Sequence, residues 1–159
     1  MRVIVADSST LITLLDTHHF NLLFKLFDKM IIADAVYREI THQNQHQLVI
    51  DRYIQLDQIS LLPLEYDQFY EMLIKRLDPG ESESIVLAKR NSLPLMIDEK
   101  KGRAIAKSLG IGIVGLIGVI LKLLDVDAIT KSKAIEIIEA ADANNFRLSD
   151  ELKQLIYEY

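Results

Sequence analysis

Four short apolar runs, separated by long stretches with helical periodicity, limit the fold of this sequence more than any other feature. The runs are rich in β-branched and bulky side chains, as buried strands are, and cover residues 2–6, 30–33, 95–97 and 112–114. A fifth run, at residues 59–62, fits either a strand or an extended connector. Parallel strands need long crossover connections, which the intervening helices supply. The sequence therefore predicts an α/β fold, a three-layer α/β/α sandwich with a short central parallel sheet.

Helical periodicity fills the segments between these runs and continues to the end of the chain. The predicted helices cover about residues 10–16, 20–27, 34–42, 66–77, 81–91, 100–109 and 116–124, with a weaker pattern at 47–53. From about residue 127 we expect a C-terminal helical tail, with patterns at 131–141 and 149–157. A chain of 159 residues has the length of one domain. We therefore predict a single domain over residues 1–159.

Several classes of protein are disfavoured by composition. The sequence has no cysteine, so disulfides and thiolate metal sites are excluded, which fits a reducing cytoplasm. The N-terminus shows no apolar segment followed by a small-residue cleavage site, so we expect no signal peptide. The longest apolar run has 13 residues, at 109–121, whereas a membrane-spanning helix needs about 20. We expect a cytoplasmic protein without a membrane span.

Acidic residues occur beside the ends of the predicted strands. Asp7 and Asp98 each follow a strand directly, Glu39 lies on the helix after the second strand, and Glu81 and Glu83 follow a Pro-Gly turn. Each acid alone has a simpler explanation, because Asp is a good helix N-cap and acids are favoured in first helical turns. Together they are harder to dismiss, since ligands of parallel sheets collect at the carboxyl ends of the strands.

Converging carboxylates would require a bound cation. Two unit charges about 5 Å apart repel by roughly 3 kcal/mol at an effective dielectric of 20, more than the roughly 1 kcal/mol that a helix cap contributes. Oxygen-only ligands select Mg²⁺ or Mn²⁺, and such an ion supports phosphodiester hydrolysis. Glu81 and Glu83 are about 200° apart around a helix. We therefore expect only one of them to face the site and the other to face solvent.

Four segments, taken in order, resemble the PIN domain. They read "VADSSTLITLL", "IIADAVYREI", "LDPGESESIVLAKR" and "LPLMIDEKKGRAIAKSLGIGIVGLIGVI". Within that family the sequence is similar to a prokaryotic branch that resembles the VapC toxins of toxin and antitoxin pairs, and the resemblance extends to "FRLSDELKQLIYEY". It implies a parallel sheet with helices on both sides, and RNA cleavage with Mg²⁺ or Mn²⁺ by a cluster of acids.

The resemblance also implies roles for individual residues. Ser9 matches the hydroxyl residue beside the first acid, which would steady Asp7 or a metal-bound water. The third acid is commonly Asp in the family, and here Glu81 or Glu83 must serve; the fourth is either Asp98 or Glu99. The predicted catalytic acids are Asp7, Glu39, Glu83 and Asp98, and the predicted metal ligands are Asp7, Asp98, Glu81 and Glu99.

RNA binding requires positive charge, although the net charge of the chain is −5. Lys100, Arg103 and Lys107 form one stripe of a helix that begins beside Asp98. This stripe is either a solvated face or a contact for RNA backbone phosphates, and we predict RNA binding there.

We also expect a homodimer or a cognate antitoxin as partner, because apolar residues of the tail look exposed. These residues are Leu152, Leu155 and Ile156. Two other hypotheses stay open at this point. One is a PIN-like scaffold that binds a protein or nucleic acid without cutting. The other is a phosphoryl-transfer domain of the haloacid dehalogenase kind, a family that has a second Asp where this chain has Ser9.

Overall fold

The computed structural model describes residues 1–159 and confirms the predicted sandwich around a parallel sheet. The sheet has five strands in the order β3-β2-β1-β4-β5, and every neighbouring pair is parallel. The strands are β1 (Val3–Ala6), β2 (Lys29–Ala33), β3 (Ile59–Leu62), β4 (Leu95–Met96) and β5 (Ile113–Val114). Residues 59–62 therefore form a strand, at one edge of the sheet.

Helices connect the strands and cover the sheet. They are α1 (Ser8–Asp16), α2 (Asp34–Ile40), α3 (Asn44–Gln55), α4 (Gln68–Ile74), α5 (Pro79–Asn91), α6 (Lys100–Ser108), α7 (Leu116–Asp125), α8 (Lys131–Ala143) and α9 (Asp150–Tyr157). The predicted helix at 20–27 is a 3₁₀ helix over Phe20–Lys25, and the weak pattern at 47–53 belongs to the full helix α3.

The register of the sheet brings the carboxyl ends of β1, β4 and β5 to the same side of the sheet. Val5 pairs with Ile31 on one side and with Leu95 on the other. Beyond the strands, the backbone amide of Asp7 donates to the carbonyl of Met96 at 2.9 Å, and that of Ile97 donates to Val114 at 2.9 Å. The residues that follow β1 and β4 therefore emerge side by side.

Helix α5 is the most buried helix around the site. It packs on β1, β2 and β4 and also contacts α2, α4 and α6. Its residues from Gly80 to Ala88 are all buried, including two glutamates and two serines. The beginning of α5 is consequently fixed against the edge where β1 and β4 end.

The C-terminal helices pack against the rest of the chain. Helix α9 contacts α7 and α8, and Lys153 on α9 forms an ion pair with Asp142 on α8 at 2.9 Å. Ile156 is fully buried, so the expectation that it is exposed is wrong, whereas Leu152 and Leu155 are exposed. One face of α9 therefore belongs to the core. None of the helices combines the length and the apolar character that crossing a bilayer requires.

Candidate active site

Asp7 is a buried carboxylate, and one of its two oxygens has no hydrogen-bond partner. It stands at the N-cap position of α1, but its side chain makes no capping hydrogen bond. The side chain is only 3% exposed, and its Oδ1 atom has no hydrogen-bond partner. Burial raises the pKa of Asp7 to about 7. A hydrogen bond with the backbone of Ser8 opposes this increase, and the negative charges of Asp78, Glu39 and Asp98 add to it. The simpler interpretation of Asp7 as a helix cap is therefore wrong.

Three carboxylates converge on Gly80, the second residue of α5. A Cβ atom added at Gly80 would lie 3.1 Å from Oε2 of Glu39, 3.4 Å from Oδ1 of Asp7 and 3.6 Å from Oδ1 of Asp78. Asp78 is the N-cap of α5 and accepts from the backbone amide of Glu81 at 2.8 Å. Only a residue without a side chain leaves this space open to the three acids.

Hydroxyl groups at the start of α1 hold two of the acids. Ser8 Oγ donates to Oε2 of Glu39 at 2.7 Å, which links α1 to α2. Thr10 Oγ1 donates to Oδ2 of Asp98, across the end of β4. Ser9 Oγ makes no hydrogen bond to Asp7, and its contact with a metal-bound water stays a prediction. The polar run after β1 thus acts through Ser8 and Thr10, which the sequence analysis did not single out.

Asp98 and Glu99 have different structural roles. Asp98 accepts from Thr10 and, at 3.0 Å, from the backbone amide of Leu116 at the start of α7. Burial raises the pKa of Asp98, while these hydrogen bonds and the charge of Arg103 oppose the increase. Glu99 is exposed and caps α6 by accepting from the amide of Gly102 at 2.8 Å. The interpretation of Asp98 as the cap of α6 is therefore wrong, because Glu99 fills that role.

Glu81 faces the other acids. Burial raises its pKa to about 8, and a hydrogen bond with Asp78 and the charges of Asp78, Asp7 and Glu99 add to the increase. Its Oε2 atom would lie 3.5 Å from a Cβ atom at Gly102, so the side chain extends towards the start of α6. Of the two glutamates on α5, Glu81 is the one beside Asp7.

Glu83 lies on another side of α5, next to α2. Its carboxylate is 2% exposed, and Oε2 has no hydrogen-bond partner. Burial raises the pKa of Glu83, the positive charge of Arg38 lowers it, and the charge of Asp34 raises it. The expectation that one of the two glutamates faces solvent is wrong, because α5 is covered on both sides.

The acids are near one another but do not form a closed set of metal ligands. No group of three or more His, Cys, Asp or Glu side chains in the structure has the arrangement needed to hold one ion. The donor chemistry nevertheless fits a hard divalent cation, since the donors are all carboxylate oxygens. Oδ1 of Asp7 is buried, has no partner and faces the space at Gly80. The types of side chain present therefore match those that bind a hard divalent cation.

The predicted basic stripe divides into two parts. Arg103 is half-buried beside the site, where its Nη1 atom donates to the carbonyl of Ile97 at 2.8 Å. Lys100 and Lys107 are exposed on α6. Nη1 of Arg103 and Oδ1 of Asp98 both lie beside Gly115, and the charge of Arg103 lowers the pKa of Asp98.

Comparisons with known proteins agree with this architecture. The family model DUF3368, described as a PIN domain, matches residues 3–158. The fold is similar to a PilT N-terminus domain protein from the hyperthermophilic archaeon Sulfolobus solfataricus P2, with a TM-score of 0.52, 16% identity, and coverage of 74% of this chain and 89% of that one. It is also similar to a domain of a functionally unknown protein from Methanocaldococcus jannaschii, with a TM-score of 0.50, 17% identity, and coverage of 73% and 91%. A search of curated proteins gives no match.

Proposed function

Since the chain belongs to the PIN domain family, we propose that it is a metal-dependent ribonuclease that hydrolyses RNA phosphodiester bonds at the acids around Asp7. The family and the structural likeness support a nuclease-type fold, and membership removes the haloacid dehalogenase alternative. The observation that carries the proposal is the buried, unpartnered carboxylate of Asp7, with two further carboxylates beside it at Gly80. Such crowding costs free energy unless a cation or substrate chemistry uses it.

Mg²⁺ or Mn²⁺ would be held by acids from four parts of the chain, namely Asp7, Glu39, Glu81 and Asp98. When bound, the ion would polarise the phosphate and lower the pKa of the attacking water. Ser8 orients Glu39, while Thr10 orients Asp98, as hydrogen bonds behind metal ligands generally do. Burial favours the protonated forms of Asp7 and Glu81 near neutral pH, so loading of the ion would release protons.

The biological setting that we propose is the toxin half of a toxin and antitoxin pair. The resemblance to VapC toxins supports this role, and the exposed side chains of Leu48 and Leu56, on α3 and directly after it, offer an apolar surface to an antitoxin or to a second copy of the chain. A small neighbouring open reading frame whose product copurifies with this protein would support the pairing.

Cleavage of RNA tests the proposed activity. We expect the purified protein to cut single-stranded RNA in the presence of Mn²⁺ or Mg²⁺, and we expect a chelator to stop the cleavage. The Asp7→Asn variant should cut at least 100-fold more slowly than the wild type, since general acid-base catalysis alone contributes roughly 10²–10⁴-fold. Asp57→Asn is the matched control, because Asp57 is exposed and precedes β3. It therefore lies at the amino ends of the strands, whereas the acids lie at the carboxyl ends. Cleavage that persists in Asp7→Asn contradicts the assignment.

The second candidate function is a PIN-like scaffold that binds RNA or a protein without cutting. It is favoured by the lack of a closed ligand set. Calorimetric titration with Mn²⁺ distinguishes the two functions, because a scaffold would show no binding in the millimolar range.

The two glutamates of α5 supply a matched pair for that titration. For the nuclease we expect Glu81→Gln to weaken Mn²⁺ binding by roughly tenfold or more, in line with the 10–100-fold range seen for changes around metal ligands. Glu83→Gln should change it less than twofold, because Glu83 faces α2. Equal effects of both substitutions would contradict the orientation that we assign to α5.

A further inference from the structure

A pocket of about 530 Å³ opens beside Asp98, between β5, α7 and α9. Seven of its twelve lining residues are hydrophobic, among them Leu121 and Leu155, while Asp98, Arg103 and Lys122 supply its charged groups. We propose that this pocket binds one unpaired nucleobase of the RNA substrate, next to the phosphate at the acids. The inference rests on the proposed ribonuclease function and assigns a substrate contact that the acids alone do not provide.

The pocket adjoins the acid site through Asp98. Asp98 lines the pocket and accepts a hydrogen bond from Thr10, three residues after Asp7, while the backbone amide of Asp7 donates to Met96, two residues before Asp98. A nucleotide whose phosphate lies at the acids would therefore have its base or sugar at the mouth of the pocket. The volume falls in the range of about 300–1,000 Å³ that is usual for small-ligand sites, which is sufficient for a single nucleotide.

Arg103 gives the pocket a surface for stacking. No aromatic residue lines the pocket, but unpaired bases also stack on the planar guanidinium group of arginine. The guanidinium of Arg103 is held in place by its hydrogen bond to the carbonyl of Ile97 at 2.8 Å. We therefore assign Arg103 to the base, where the sequence had predicted a contact with backbone phosphate.

An RNA occupant fits the pocket better than a protein occupant. A stable protein interface buries about 800 Å² on each partner, whereas the exposed large apolar residues of the pocket are Leu152 and Leu155. Lys122 at the pocket complements a phosphate that flanks the base, in a chain whose net charge is −5. Phosphate attraction in this protein must therefore be local.

The test is an abasic scan of a cleaved RNA. The wild-type protein with Mn²⁺ is used first to map the bond that it cuts in a 20-nucleotide single strand. Asp7→Asn protein with Mn²⁺ is then titrated with the same strand carrying one abasic nucleotide at each position in turn. We expect one position beside the cut to weaken binding by roughly fivefold or more, as loss of a stacked base does, and the other positions to change it less than twofold.

Variants of the pocket identify where that base binds. The abasic penalty is the factor by which the abasic nucleotide beside the cut weakens RNA binding. In the Asp7→Asn background, Arg103→Lys retains the charge but removes the planar group, so this penalty should fall below twofold. Lys107→Ala, one turn further along α6, should weaken binding of every strand but leave the penalty intact. The double variant Leu152→Gln and Leu155→Gln changes only exposed side chains, and it should also reduce the penalty.

The outcomes separate the inference from the function on which it rests. If the wild-type protein cuts no RNA, the proposed function and the pocket assignment both fail. If RNA is cut but no abasic position matters, or the penalty persists in both pocket variants, the assignment is overturned while the ribonuclease stands. If the double variant instead changes the oligomeric state and leaves RNA binding unchanged, the pocket is a protein interface and the assignment is again overturned.

Discussion

At the scale of single residues, the site depends on a carboxylate that the fold stabilises poorly. Asp7 is buried with no partner for Oδ1, although buried polar groups are normally satisfied by hydrogen bonds. Glu39 and Asp98, by contrast, each accept a hydroxyl hydrogen bond. The fold therefore orients the outer acids and leaves the central acid free for a ligand.

The pKa of Asp7 predicts how stability depends on pH in metal-free protein. Folding raises this pKa from 3.8 to about 7, so the folded state binds the proton more tightly than the unfolded state does. The stabilising contribution is complete below about pH 4 and is lost as the pH rises towards 7. We expect Asp7→Asn to have nearly the wild-type melting temperature at pH 4 and a melting temperature several degrees higher at pH 8, since 1 kcal/mol is worth about 2–4 °C in a domain of this size.

The measurement is thermal unfolding with chelator present, from pH 4 to pH 8, followed by circular dichroism. Glu139→Gln is the control, and its difference from wild type should not grow with pH because Glu139 is exposed on α8 and forms no ion pair. A melting temperature of Asp7→Asn that is lower than wild type throughout would indicate a lost cap and contradict the interpretation.

Sequence alone could locate the acids but not choose between Glu81 and Glu83. The polar face of an amphipathic helix reveals its orientation, but α5 is buried from Gly80 to Ala88 and has no such face. The rotation of α5 is set by its packing on the sheet and on α2 and α4. The hydrogen bonds of Ser8 and Thr10 could not be predicted from the sequence either, because they join α1 to residues that are 31 and 88 positions away.

At the scale of elements, the short apolar runs and their helical connections were sufficient to predict the sheet, and differences occur mainly at the ends. The predicted run at 95–97 is a strand only over Leu95–Met96. The tail was harder to interpret, because α9 is amphipathic with only Ile156 fully buried. When only one side chain of a helix is buried, the sequence pattern does not indicate which of the apolar residues reaches the core.

Packing of α9 gives a prediction about the tail. Ile156→Ala should destabilise the protein by about 2–5 kcal/mol, as buried isoleucine truncations do, whereas Leu155→Ala should change stability by less than about 0.5 kcal/mol. Leu155 is the matched neighbour because it is 50% exposed. Urea unfolding measures the free energy of unfolding of both variants. A shift of the denaturation midpoint without a change in the slope m reports a change in stability. A small effect of Ile156→Ala would show that α9 does not pack on α7 and α8 in solution.

At the scale of the whole molecule, topology assembles what the sequence separates. Asp7, Glu39 and Asp78 come together at Gly80 because β1 lies beside β2 and because α5 begins where these strands end. Asp98 follows β4, the neighbour of β1 on the other side. Parallel strands direct their carboxyl ends to the same side of the sheet, which explains why it is the place for a ligand. The apolar runs do not reveal the order of the strands, so the sequence alone does not predict which acids lie side by side.

The overall charge predicts a shallow salt dependence of RNA binding. With 23 acidic and 18 basic side chains, the protein has no general attraction for a polyanion, and binding must use a few local cations. For single strands the slope of log K against log salt is about −0.7 for each phosphate neutralised. Two or three contacts therefore give a slope of about −1.4 to −2.1.

Titrations of Asp7→Asn protein from 50 to 300 mM salt would measure this slope. Lys107→Ala should flatten it by about 0.7 if the exposed lysine on α6 contacts a phosphate. Lys131→Ala is the control, because Lys131 is also exposed but lies at the start of α8. A slope steeper than about −5 would require an extended basic surface, which a chain of this charge does not offer. An unchanged slope in Lys107→Ala would instead limit phosphate binding to the cations beside Asp98.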